Sequence, residues 1–142
     1  MKTASWFAKL PADHLRIGIS RGIPRGMTSG FRMYRALQPG PWFNTVDTEE
    51  YCRLYADILR QLDRQRVIGD LQAIAGDGIP TLVCFEVVGK PGWCHRALAA
   101  EWLAEGLGRT VPEFGHETLP QRLHPLRPPV TGHAAQLRLP IV

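Results

Sequence analysis

The sequence predicts a single small α/β domain, a mostly parallel sheet with flanking helices. Three observations lead there. The chain has 142 residues, enough for one core that buries roughly two-thirds of the unfolded surface. The nearly continuous apolar run PTLVCFEVV, residues 80–88, reads as a central strand buried on both faces, as strands of parallel sheets are. Strand-like and helix-like segments also alternate, in the order strand, helices, strand, helix, strand, and parallel strands joined through helices produce that order.

Taken in chain order, LRIGIS (residues 15–20) has the β-branched and apolar content of a short strand, and Gly22 and Pro24 end it. Residues 21–43 are rich in Gly, Pro, Arg and aromatics and show no period, so they read as a long loop of the kind that carries function. Asp47 and Glu50 have capping-box spacing, and acids in a first turn suit the helix dipole, so a helix is expected from there. Tyr51, Tyr55, Ile58, Leu59 and Leu62 form its apolar stripe. A second stripe, Val67, Ile68, Leu71, Ile74 and Ala75, continues it or forms a separate helix, and Gly76 and Gly78 stop it. After the central strand, WCHRALAAEWLAEGLG presents Leu98, Trp102, Ala99, Leu103 and Leu107 to a core and ends at Gly106 or Gly108. RTVPEF is expected to be a further strand. The domain is expected to span residues 1–118, with 119–142 a proline-rich arm lying on the surface or on a neighbouring subunit, which makes a homodimer an expected possibility.

Charge and composition narrow the function classes. Residues 1–46 carry seven basic and one acidic side chain, 47–118 seven and twelve, and 119–142 three and none, so basic flanks enclose an acidic middle. Fourteen of the seventeen basic residues are Arg, whose fork geometry suits phosphate and carboxylate. The longest uncharged run, residues 36–46, contains two prolines, so a membrane span is not expected; nor is a secretory signal, and a cytoplasmic location follows as the expectation. Three cysteines, an odd number, argue against a disulfide framework and for reduced thiols.

Ligands of open α/β sheets bind beyond the carboxyl ends of the strands. Two segments end at that edge: Ser20, Arg21 and Arg25 after the first strand, and Glu86 with Cys94, His95 and Arg96 after the central one. A helix amino terminus favours anions and thiolates, which makes Cys94 the candidate nucleophile, with His95 and Glu86 as proton-transfer or orienting groups. Ser20, Arg21, Arg25 and Arg96 are the candidate ligand-binding residues, for a phosphate or carboxylate. Cys84, Cys94, His95 and Glu86 lack any standard zinc-knuckle spacing, so no metal is expected, and no cofactor is indicated. Phe31, Tyr34, Trp42 and Phe43 alternate with Arg21, Arg25, Arg32 and Arg35, the composition of a surface that stacks on bases and grips phosphates; packing of these aromatics under the loop is the structural alternative.

The ordered set SRGIPRG, LVCFE and WCHRALAAEWL, followed by VPEFG, resembles the short branch of the "domain of unknown function 488" family over about residues 14–115. That resemblance implies a compact α/β fold and a polar pocket built from Arg21, Pro24 and Arg25, from Cys84 and Glu86, and from Cys94, His95 and Arg96. It supplies no reaction. The sequence therefore leads to an enzyme acting on an anionic, phosphate-bearing ligand such as a nucleotide or nucleic-acid component. The alternatives are a non-catalytic nucleic-acid-binding module in which the Cys-His-Arg cluster is structural, and a subunit that docks through its proline-rich arm.

Overall fold

The computed structural model describes residues 1–129. It is an α/β domain with a four-stranded, all-parallel sheet and three helices. The strands are β1 (Lys2–Ser5), β2 (His14–Gly18), β3 (Phe31–Met33) and β4 (Ile79–Cys84), in the spatial order β1-β4-β2-β3. β4 lies between β1 and β2, in register Thr3↔Leu82 on one side and Ile17↔Leu82 on the other, so both its edges are hydrogen-bonded and residues 80–84 are buried as the sequence led us to expect, whereas Phe85, Glu86 and Val87 of the same run lie beyond the strand and are exposed.

The helices are α1 (Thr48–Arg60), α2 (Arg64–Ala75) and α3 (His95–Leu107). The Asp47 carboxylate accepts from the Glu50 amide and starts α1, and Asp63 does the same for α2 through the Arg66 amide, so the two apolar stripes belong to separate helices. All three helices pack their buried residues (Tyr55, Leu71 and Leu103 among them) on one face of the sheet, against Ile17 and Leu82. The other face carries Ala4, Trp6 and Val83 and is closed by loop residues such as Met27 and Phe114. The flanking helices therefore form one layer, and Trp6 with its loops substitutes for a second. No helix among the described residues is long and apolar enough to cross a membrane.

Two strands lie where none was expected. β1 is four residues long with Thr3 and Ser5 buried, so it shows no apolar run, and β3 is a three-residue piece inside the long loop, followed by a 3-10 turn at Arg35–Leu37. Conversely, RTVPEF contributes one bridge, Thr3↔Glu113, and no strand. Pro112 has no N–H to extend that ladder toward Met1, and at Gly115 (φ +87°) the chain turns back.

The described part of the proline-rich segment does not leave the domain. Gln121 brackets Val111, accepting from its amide at 2.7 Å and donating to its carbonyl at 3.1 Å, and Leu126 is buried against Cys84 and Cys94. The remainder of the expected arm, residues 130–142, lies outside the described residues.

Gly18 allows the packing of the second face. A Cβ there would lie 2.5 Å from Trp6 Cζ2 and 2.5 Å from Met33 Sδ, so the ring rests directly on the β2 backbone. Gly18→Ala is expected to destabilise the protein by about 1–3 kcal/mol through overpacking, measured as a lower denaturation midpoint at unchanged slope.

Candidate functional site

The carboxyl ends of β2 and β4 and the amino ends of α1 and α3 border a cleft of about 520 Å³. Of the residues singled out in the sequence, Ser20, Arg21, Glu86, Cys94 and His95 line it together. Phe43, Tyr51, Phe85 and Trp93 supply aromatic walls, and Cys84 joins Cys94 and His95 in the lining. Arg21 and Glu86 are exposed at the rim, whereas Cys84 and Cys94 are 1% and 2% exposed. The cleft thus has a charged rim and a sulfur–imidazole floor.

The floor follows from the local fold. Cys84 is the last residue of β4, and Cys94 is the N-cap of α3, its Sγ accepting from the Arg96 amide at 3.4 Å. The nine residues between them close a loop that returns the chain to the end of the strand it left, and the two sulfurs are joined as a disulfide. This corrects the expectation of reduced thiols: an odd count excludes only complete pairing, and Cys52 on α1 stands outside the cluster. It also changes the role open to Cys94, whose sulfur is bonded and covered rather than presented as an accessible thiolate.

His95 is buried, with Nε2 donating to the Ile19 carbonyl at 2.8 Å and Nδ1 facing Cys94 Sγ at 3.7 Å. A carbonyl only accepts, so the proton sits on Nε2 and the Nδ1 lone pair is directed at the sulfur. Burial, outweighing the Ile19 hydrogen bond and reinforced by the charge of Arg96, lowers the imidazole pKa to about 4, so the ring is neutral at pH 7. The Tyr51 hydroxyl is shifted upward by burial and then by the Glu86 carboxylate, so it remains a protonated donor.

Arg96 does not reach the cleft as a ligand group. It is 0% exposed; Nε and Nη2 donate to the two Glu113 oxygens at 3.0 and 2.7 Å, and Nη1 donates to Cys84 Sγ at 3.3 Å. Its charge is cancelled inside the protein, and its function is to hold the floor. Arg25 is also absent from the lining. A turn closed by the Met27 amide on the Pro24 carbonyl at 3.1 Å, with Gly26 at φ +88°, puts it at an exposed tip. Ser20 lines the cleft, but its hydroxyl is committed, accepting from Trp6 Nε1 at 2.9 Å and donating to the Gly22 carbonyl at 2.6 Å.

The residues that sequence reasoning passed over are Glu113, Thr3 and His124. Thr3 Oγ1 donates to Glu113 Oε1 at 2.8 Å and accepts from His124 Nε2 at 2.7 Å; His124 Nδ1 in turn accepts from the Leu126 amide, which fixes the tautomer. Burial alone would raise the Glu113 pKa, but the hydrogen bonds from His124, Arg96 and Thr3 and the Arg96 charge bring it down to about 2. The VPEF segment was the signal available for Glu113; Tyr51 was legible only as a core residue.

No family model matches the chain, and no curated protein or solved structure matches it. The geometry therefore carries the chemical reading.

Because the folded pKa of Glu113 lies below its ordinary value of 4.5, the pair contributes stability that is present above about pH 4.5 and lost as pH falls toward 2. Glu113→Gln, which strands the buried Arg96 charge, is expected to cost about 3–5 kcal/mol at pH 7 and to flatten the fall in stability between pH 4.5 and 2; denaturant titrations at several pH values measure both.

Proposed function

We propose that this protein is an enzyme acting on a small anionic, nucleotide-like ligand in the cleft. The observation that carries the reading is the convergence of Arg21, Glu86 and the sulfur–imidazole floor on one aromatic-walled hollow at the carboxyl edge of the sheet. Arg21 grips the phosphate or carboxylate, Phe43, Tyr51, Phe85 and Trp93 flank a planar or apolar body, and Glu86 accepts from a donor on the ligand or moves its proton. The Cys84, Cys94 and His95 cluster closes the floor of the cleft beneath the ligand. His95, with Nε2 held by Ile19, takes part in proton transfer only through Nδ1.

The volume supports a ligand of nucleotide size, since small-molecule sites are typically about 300–1,000 Å³. The aromatics of the long loop support a small ligand over an extended nucleic-acid strand. Phe31 packs edge-on against Trp6, Tyr34 donates to Asp70 and Trp42 packs against Tyr51, leaving Phe43 as the member of the set that lines the cleft. Kinship with the domain of unknown function 488 family belongs to the same proposal, supported by Ser20–Arg21, Cys84-x-Glu86 and Cys94–His95 lining one cleft.

Calorimetric titration with nucleoside 5′-monophosphates, the matching nucleosides and inorganic phosphate tests the reading. Binding of at least one monophosphate is expected, weaker for its nucleoside, and weakened about 10- to 100-fold by Arg21→Ala, the worth of one charge-assisted contact. Binding that Arg21→Ala leaves unchanged, or no binding of any monophosphate, overturns it. Tight association with single-stranded DNA that weakens steeply with salt and is untouched by Arg21→Ala returns the decision to the nucleic-acid module.

A further inference from the structure

The sulfur–imidazole floor has the donor set of a metal centre. Cys84 Sγ, Cys94 Sγ and His95 Nδ1 lie within 4.8 Å of one another, and all three residues are buried. We propose that in its dithiol form this cluster binds one Zn²⁺ through those three atoms, leaving the fourth coordination position open to the cleft. The inference stands apart from the ligand reading above, because it needs only these side chains.

Geometry, hydrogen bonding and charge support it. Tetrahedral zinc, with Zn–S near 2.3 Å and Zn–N near 2.0–2.1 Å, requires about 3.5–3.6 Å between a sulfur and an imidazole nitrogen and about 3.8 Å between two sulfurs. Cys94 Sγ and His95 Nδ1 already stand at 3.7 Å. The Cα atoms of Cys84 and Cys94 are 7.6 Å apart, wider than the roughly 4.4–6.8 Å usual for disulfide partners, so the backbone leaves room for an ion between separated sulfurs.

The outer groups are also those of a metal site. His95 donates its other ring N–H to the Ile19 carbonyl at 2.8 Å, which aims Nδ1 at the sulfurs, as the second hydrogen bond of a metal-bound histidine does. Each sulfur has its own N–H donor, the Arg96 amide on Cys94 at 3.4 Å and Arg96 Nη1 on Cys84 at 3.3 Å.

Charge balances as well. Two thiolates neutralise a divalent ion, and Arg96 is already neutralised by Glu113, so the occupied site leaves no net charge to bury. Burial of the sulfurs, which hinders a bulky substrate from reaching a nucleophile, is ordinary for metal ligands. Three protein ligands with a cleft-facing fourth position describe a catalytic zinc site rather than a closed structural one.

Loading requires reduction. A phosphine supplies the two electrons that open the Cys84–Cys94 bond and becomes its oxide, water providing the oxygen and both thiol protons. Zn²⁺ then displaces those two protons into the buffer.

The test uses the full chain, reduced with a phosphine under anaerobic conditions and titrated with Co²⁺. We expect saturation at one ion per chain, with thiolate-to-cobalt charge-transfer absorption and the intense visible bands of tetrahedral Co²⁺, both bleached by one equivalent of Zn²⁺. Protein holding the Cys84–Cys94 disulfide is expected to give no such spectrum. Cys84→Ser and Cys94→Ser are each expected to weaken Zn²⁺ binding by roughly 100-fold or more, since losing a ligand exceeds the 10- to 100-fold cost of losing an outer hydrogen bond. Cys52→Ser is expected to change nothing. The reduced wild-type chain is decisive even where a variant fails to fold: no cobalt binding, or binding without charge-transfer absorption, overturns the proposal. So does a spectrum that persists in Cys84→Ser or disappears in Cys52→Ser. Nucleotide binding in the absence of metal bears only on the ligand reading, so the two fail separately.

Discussion

The buried pair of Arg96 and Glu113 is the constraint on which the rest of the site depends. Two charges withdrawn from water are tolerated only when their remaining hydrogen-bonding capacity is filled, and here it is: Glu113 accepts from Arg96 and Thr3 with His124 alongside, and Arg96 spends its third arm on Cys84. The partners come from well-separated parts of the chain. Arg96 lies in the first turn of α3, Thr3 in the edge strand, and Glu113 and His124 in the segment after α3. The network therefore fixes where α3 begins relative to the sheet, and with it the positions of Cys94 and His95 above the end of β4.

That arrangement decides the electrostatics of the cleft. With the Arg96 charge cancelled in the interior, Arg21 is the cation among the described lining residues, and Glu86 stands on the same rim. Under the function proposed above, one guanidinium, one carboxylate and four aromatic side chains would suit a ligand having an anionic end, a donor and a flat or apolar body better than a polyanion that presents charge along its length. The basic character of the first third of the chain is spent elsewhere. Arg16 donates to the carbonyls of Trp6 and Ala8, and Arg25, Arg32 and Arg35 face solvent away from the lining.

The parts of the fold that could be read from the sequence are those specified by local periodicity. The α1 and α2 stripes, their Asp caps, the apolar run of β4 and the α3 stripe all carry their reason within a few residues. β1 does not. Thr3 sits at a buried position because Glu113 and His124, more than a hundred residues away, satisfy its hydroxyl, and no local pattern encodes that. The site divides in the same way. Ser20, Arg21, Glu86, Cys94 and His95 were placed by the rule that ligands gather at strand carboxyl ends. Arg96 was misread because a consecutive Cys-His-Arg looks like one surface, whereas one helical residue turns the guanidinium about 100° away from its neighbour and into the interior. Arg25 followed Arg21 in sequence but not in space, since the Pro24–Met27 turn carries it outward.

The segment after α3 shows how a stretch without periodic structure governs the chemistry of a distant strand end. Leu126 packs on both Cys84 and Cys94, and its carbonyl accepts from the Cys94 amide at 3.0 Å. Its own amide donates to His124, whose other nitrogen meets Thr3 and Glu113. One continuous chain of contacts thus runs from the sulfurs through Leu126 and His124 to Glu113 and returns to the sulfurs through Arg96. A closed ring of this kind holds each sulfur from two sides, with packing behind and an N–H donor beside it, and leaves the cleft side as the direction of approach. The proline content of the segment serves that geometry: Pro120 and Pro125 limit the conformations of the chain around the 3-10 turn at Gln121–Leu123, so His124 and Leu126 are presented at low entropic cost.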